Sequence, residues 1–304
     1  MLNFLKKIKS ILAIRAQKTV LPGFEGQNLY DVGKFFIAGL SSGSVASRAA
    51  AVTFRFLLAA FPMVICIFSL IPFVPIDNFQ NSIIDYMHGF FPAQVYDFFD
   101  EALVDLIKRK RTFLLSIGFL ITIYFASNGI KALLEAFSSS SHLEKKRSFL
   151  QQSIWSLGIL FMFILLSVLL TLISAAGQFM IDYFYRIGWI ESGIGYSFMI
   201  VFKNTLLFLL YYFVINLLYN IGNTEQKKWK FFTAGATMST LLIIALQKGF
   251  SFYLMDIAKF DKLYGPLGAF LAFLLFFYYL FYLLIIGFEL NASIHGAKKK
   301  RMNS

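Results

Sequence analysis

Charge is what this chain has least of. Asp, Glu, Lys and Arg make up 14% of its 304 residues, against roughly 25% in a soluble domain. The acids are the scarcer kind, 16 against 28 bases. So little charge cannot cover the surface of two soluble domains, which the length alone would suggest. The single cysteine, Cys66, excludes an intramolecular disulfide and reports no redox compartment. The three histidines, His88, His142 and His295, stand in different regions, so no zinc-ligand spacing arises. There is no Walker A loop and no GxSxG elbow. "GPLG" at 265–268 lacks the Lys-Ser/Thr ending of a phosphate loop. No catalytic constellation is visible, so no enzyme and no cofactor are expected.

What the chain does have is long apolar runs. Hydrophobic residues make up 58%, with 38 Phe and 15 Tyr, and the mean hydropathy is +0.69. Six stretches are each long enough to cross a bilayer: Ala49–Phe73, Thr112–Leu134, Ile154–Ile181, Phe198–Ile221, Phe231–Leu254 and Leu267–Glu289. Runs such as "ILFMFILLSVLLTLI" from Ile159 to Ile173 lack the alternation of barrel strands. The expected fold is an all-α polytopic membrane protein with six transmembrane helices plus amphipathic extracytoplasmic helices. Residues 1–48 read as a cytoplasmic amphipathic N-terminal segment, 49–291 as the six-helix domain, and 292–304 as a basic tail. Within 78–107, apolar residues at helical spacing and the acidic stripe Asp97, Glu101, Asp105 predict two outer amphipathic helices. These form either an interfacial hairpin or a lid or docking element.

The bases set the orientation. Most of the 28 fall before the first span (Lys6, Lys7, Lys9, Arg15, Lys18, Lys34, Arg48), in the second connection (Lys145, Lys146, Arg147), in the fourth (Lys227, Lys228, Lys230) and in the tail (Lys298 to Arg301). The positive-inside rule then predicts both termini and residues 138–147 in the cytoplasm, and 78–107 outside. The net charge of +12 is thereby a feature of topology. No nucleic-acid-binding module accompanies it. The run "KRKR" (Lys108, Arg109, Lys110, Arg111) is the exception to the rule.

A charge within a span costs ~2.5–3.5 kcal/mol on insertion scales, so each is a candidate for function. Arg55 lies inside the first span, and Arg48, seven residues earlier, shares its face. Lys131 and Glu135 are an i,i+4 pair on the second span, and Glu289 closes the sixth. In a compact bundle Arg55, Lys131, Glu135 and Glu289 meet at one depth. They form either a structural ion-pair cluster or an inner gate, and Glu135 or Glu289 is the expected partner of Arg55. Nearer the other side, Lys203 and Lys248 have few acids around them. Either they snorkel to the interface or, with Lys108–Arg111, they form an outer basic site for an anionic ligand. Small residues at i,i+4 spacing, Thr233 with Thr237 and Gly235 with Ser239, offer a face for close helix packing.

Several motifs are similar to those of a known family. "AVTFRFLLAAFP" (Ala51–Pro62), "SNGIKALLEAF" (Ser127–Phe137), "YGPLGAFLAFLLFFYY" (Tyr264–Tyr279) and "GFELNA" (Gly287–Ala292) resemble the YihY/BrkB family of bacterial inner-membrane proteins. The family was formerly labelled ribonuclease BN, a label regarded as a misassignment. The resemblance implies a six-span plasma-membrane protein. It also implies a polar signature on Arg55, Pro62, Asn128, Lys131, Glu135, Tyr264, Gly265, Gly268, Glu289 and Asn291. Lys131 departs from the arginine of many relatives, keeping the charge but losing the bidentate fork.

The expectation is a transporter-like or flippase-like protein for an anionic, lipid-like envelope molecule. Its inner polar site would be Arg55, Asn128, Lys131, Glu135, Glu289 and Asn291, and its partners membrane lipids. The alternative is a non-transporting scaffold for envelope assembly.

Overall fold

The structure is a computed structural model that describes residues 15–42, 45–75, 78–90, 104–140, 148–187, 194–225, 229–253 and 266–303. Its long elements are helices: α1 (Leu29–Ser42), α2 (Val45–Leu70, followed by a 3-10 turn at Ile71–Phe73), α3 (Phe79–Phe90), α4 (Thr112–Ser138), α5 (Phe149–Arg186), α6 (Ile194–Gly222), α7 (Ala234–Phe252) and α8 (Pro266–Asn303). Residues 104–108 are also helical, and the described residues contain no strand. The protein is an all-α polytopic membrane protein.

Each predicted span coincides with a helix, because a continuous apolar run in a bilayer must satisfy its backbone internally. Five helices, α2, α4, α5, α6 and α8, are long and apolar enough to cross a membrane. The fifth predicted span is α7, of 19 residues, about 28 Å at 1.5 Å per residue. Gln247, Lys248 and the small polar residues of its first turns lower its hydropathy. Helix α8 runs through the expected boundary at residue 291 without a break. The second outer helix falls largely in 91–103, outside the described residues, as do Asp97 and Glu101. So do Lys6, Lys7, Lys9, Lys145, Lys146, Arg147, Lys227 and Lys228.

The six long helices pack in a ring, α2–α4–α5–α6–α7–α8 and back to α2, and α4 also touches α6 and α8. Helix α1 lies across the last turns of α8. There Val32 and Phe24 pack with Ile294 and Ala297, so the two terminal segments share one end of the bundle. Burial is concentrated at that end. In α6 the buried residues lie from Ile215 onward, and in α7 between Gly235 and Ile243. In α4 all but Gly118 lie between Gly129 and Phe137, and in α8 all but Gly268 and Ala272 lie from Phe281 onward. Phe137 stacks on Phe288 at 4.4 Å, and Tyr219 meets both edge-on. Helices α2 and α4 stay together further up, where Gly118 faces Cys66 and Gly129 faces Phe56.

Candidate functional site

The cluster at the termini end is built where α1, α2, α4 and α8 converge. Glu289 has no exposed side-chain surface. It accepts a hydrogen bond from Ser140 Oγ at 3.0 Å, and its other oxygen lies 3.5 Å from Arg48 Nη2. Arg48 also donates through Nη1 to the Ala136 carbonyl at 2.7 Å, near the α4 C-terminus. Gly39 of α1 backs onto the carboxylate, and a Cβ there would lie 3.1 Å from its carboxyl carbon and overlap Oε1. Glycine at 39 is therefore what lets α1 close over the pair. Arg48 Nε and the second Glu289 oxygen are buried with no hydrogen-bond partner among the described residues.

Arg55 pairs with Glu135 across the α2–α4 contact at 3.0 Å, and both side chains are nearly half exposed. The four expected residues thus divide. Arg55 takes Glu135, Glu289 goes to Arg48, and Lys131 turns away from Glu135. Its ammonium lies over the Phe149 ring and 3.5 Å from Ser153 Oγ, at the first turns of α5. Asn128 is half-buried on α4. Asn291 accepts from the Gly235 amide at 2.7 Å. Thr233, the N-cap of α7, makes no side-chain cap bond, so Asn291 caps that helix from α8 and satisfies one of its orphan donors.

Below this level the loop at 23–28 clamps the bundle end. Gly23 and Gly26 adopt φ of 84° and 78°, the left-handed region that glycine occupies without strain. This turn places Glu25 between Lys230, with which it forms an ion pair, and Lys298 at 2.9 Å. Burial alone would raise the Glu25 pKa, but the hydrogen bonds and charges of Lys230 and Lys298 outweigh it and hold the carboxyl below its ordinary value. Glu225 pairs with His295 at 3.4 Å.

The expected outer basic residues lie on different elements and have separate surroundings. Lys203 donates to Gln178 Oε1 at 2.7 Å, and Gln178 donates to Asp182 Oδ1 at 3.1 Å. Lys248 is exposed on α7. Asp105 binds both Arg109, at 3.2 Å, and Arg111. Lys110 lies 5.9 Å over the Phe73 ring, and Lys108 is exposed.

Comparison with known proteins agrees with the motifs. The family described as Virulence factor BrkB matches residues 36–304. The chain belongs to the BrkB family. The "Putative ribonuclease-like protein YfkH" of Bacillus subtilis (strain 168) is 26% identical over 263 residues, which cover 83% of this chain and 91% of that protein. No solved structure matches.

In this BrkB chain the positions Arg55, Lys131, Glu135, Glu289 and Asn291 lie on α2, α4 and α8 toward the end of the bundle that holds the two terminal segments. Pro62 sits inside α2, where its missing N–H leaves the Leu58 carbonyl without a ladder donor. Tyr264 and Gly265 lie outside the described residues. Sequence reasoning did not single out Gln178 or Asp182. It also overlooked the stripe Tyr212, Asn216, Asn220, whose side chains hold the backbone of Lys230, Phe231 and Thr233. Its i,i+4 spacing on an apolar helix was the available signal.

Proposed function

We propose that this protein moves an anionic, amphipathic envelope molecule across the bacterial plasma membrane, with both termini in the cytoplasm. The observation that carries the proposal is the asymmetry of packing. Buried side chains crowd the termini end, and α6 and α7 bury none of their described residues toward the other. Among the described residues, a ring of helices packed densely at one end, with α6 and α7 burying nothing at the other, fits a transporter standing open to one side. In this reading the Arg48–Glu289 and Arg55–Glu135 pairs belong to the closed inner gate. Such pairs hold helices together in one state and can exchange partners in the next. Lys248 and the uncommitted cations of the Lys108–Arg111 run would meet the anionic headgroup.

The scaffold alternative is less well supported. It relies on an acidic outer stripe, and Asp105 is already neutralised by Arg109 and Arg111. The ribonuclease-like label of the Bacillus relative is not carried over, since Glu25, Glu135 and Glu289 are each paired with a lysine or arginine.

Liposomes containing the purified protein should translocate a fluorescent anionic lipid faster than empty liposomes. Replacing Lys108, Arg109, Lys110 and Arg111 with Gln should slow the rate and flatten its salt dependence, since each cation near an anionic surface contributes ~1 kcal/mol. Equal rates with and without the protein would sink the transport reading. Orientation has its own test. Ser140 is buried against Glu289, so the adjacent exposed Ser139 is the better probe. In a Cys66→Ala background, Ser139→Cys should resist an impermeant thiol reagent in intact cells and react after permeabilisation. Labelling in intact cells would invert the topology.

A further inference from the structure

A groove of about 520 Å³ runs between α5 and α6, within the size range of small-molecule sites, lined by Thr171, Ser174, Gln178, Leu207 and Tyr211 among others. Taking residues 154–181 as the bilayer-crossing part of α5, it reaches from near mid-depth toward the aqueous end beyond Arg186. Polar side chains on a lipid-accessible face of a span are costly and need partners. The groove also has a charged head. At its upper end Gln178 links the Lys203 ammonium, at 2.7 Å, to the Asp182 carboxylate, at 3.1 Å. Asp182 is exposed, and Arg186, one turn further along the same stripe, is exposed as well.

We infer that this groove binds a bilayer phospholipid with a zwitterionic phosphate–amine headgroup. Lys203, with Arg186 from the aqueous side, faces the phosphate, and Asp182 accepts the ammonium. Gln178 gives up its internal hydrogen bonds to bridge the two. The acyl chain would run down past Ser174 and Leu207. An anionic headgroup without the amine leaves Asp182 facing a like charge, and a free headgroup lacks the chain that fills the lower groove. Charge complementarity thus selects a zwitterionic lipid, and the depth of the groove selects a lipid over a soluble phosphate. The bound lipid would fill the wall between α5 and α6. The inference does not rest on the transport proposal, because a tightly held lipid is compatible with either a transporter or a scaffold.

The test is native mass spectrometry of the full-length protein in detergent, titrated with phosphatidylethanolamine, phosphatidylglycerol or free phosphoethanolamine. Wild type should retain one phosphatidylethanolamine in preference to phosphatidylglycerol and should not retain phosphoethanolamine. Asp182→Asn should shift the preference toward phosphatidylglycerol about fivefold, the factor one charge near a headgroup is worth. Ala175→Phe, which fills the groove from an exposed position, should abolish retention of both lipids without lowering the melting temperature. Equal retention of the two lipids by wild type would overturn the inference. So would an unchanged preference in Asp182→Asn, or full retention in Ala175→Phe. None of these outcomes alters the translocation rates that test the proposed function.

Discussion

Glu289→Ala is expected to destabilise the protein by roughly 3–5 kcal/mol, the cost of leaving one member of a buried ion pair without its counter-charge. The carboxylate is fully buried, and the Arg48 side chain is 12% exposed, so water cannot replace the missing partner. The substitution also removes the acceptor of the Ser140 hydroxyl and empties the space against which Gly39 is packed. Arg48→Ala should cost a comparable amount, since it strands the acid instead. Thermal melting of the purified protein in detergent would read both. Arg55→Ala and Glu135→Ala should shift the midpoint much less, because those side chains are 45% and 43% exposed. The sharpest check is the double variant Arg48→Met/Glu289→Met. Well-packed apolar replacements of a buried pair are often neutral, so it should recover most of what either alanine variant loses. Losses that simply add would mean that the two charges do not stabilise each other.

The second large effect is steric. Gly287→Ala should abolish correct assembly of the α7–α8 crossing, because an added Cβ would overlap the Ser239 hydroxyl and come within 2.6 Å of Tyr219 Oη and 2.8 Å of the Gly235 carbonyl. That hydroxyl pair is the hub of the crossing. Tyr219 Oη and Ser239 Oγ are 2.7 Å apart, Tyr219 donates to the Leu284 carbonyl at 2.7 Å, and Ser239 contacts the Leu283 carbonyl at 3.0 Å. Overpacking alone typically costs ~1–3 kcal/mol, and each buried polar group left unpaired adds ~1–3 kcal/mol. The yield of monodisperse protein should therefore collapse. Gly235→Ala should behave alike, since its Cβ would overlap the Gly287 carbonyl. Gly158→Ala and Gly249→Ala meet nothing within 4 Å and should be neutral or mildly stabilising, by up to ~1 kcal/mol from helix propensity. Normal yield and melting in Gly287→Ala would show that the two helices do not approach so closely.

How much of the site was legible in the sequence depends on how local each feature is. Arg55, Glu135 and Glu289 stand out because a charge in an apolar run is conspicuous, and the Arg55–Glu135 pairing was among those expected. The partner of Glu289 was not legible. Arg48 and Arg55 lie on one face of α2, and only the tilt of α8 against α2 decides which arginine the buried acid meets. Lys131 and Glu135 satisfy the spacing of an intrahelical pair, yet α5 offers Lys131 a hydroxyl and an aromatic face instead. Lys203, read alone, is a bare cation. The packing of α5 on α6 brings in Gln178 and Asp182 from 25 and 21 positions earlier and links the cation through an amide to an acid.

By itself, then, the sequence determined that the chain is helical and membrane-embedded, where its long helices run, and which residues carry charge at depth. These follow from the length and composition of single segments, since an apolar run in a bilayer has no alternative to pairing its own backbone. The tertiary structure decided which charges meet, which glycines admit a neighbour and at which end burial is concentrated among the described residues. Those are properties of helix crossings, and a crossing is set by the packing of side chains drawn from distant parts of the chain.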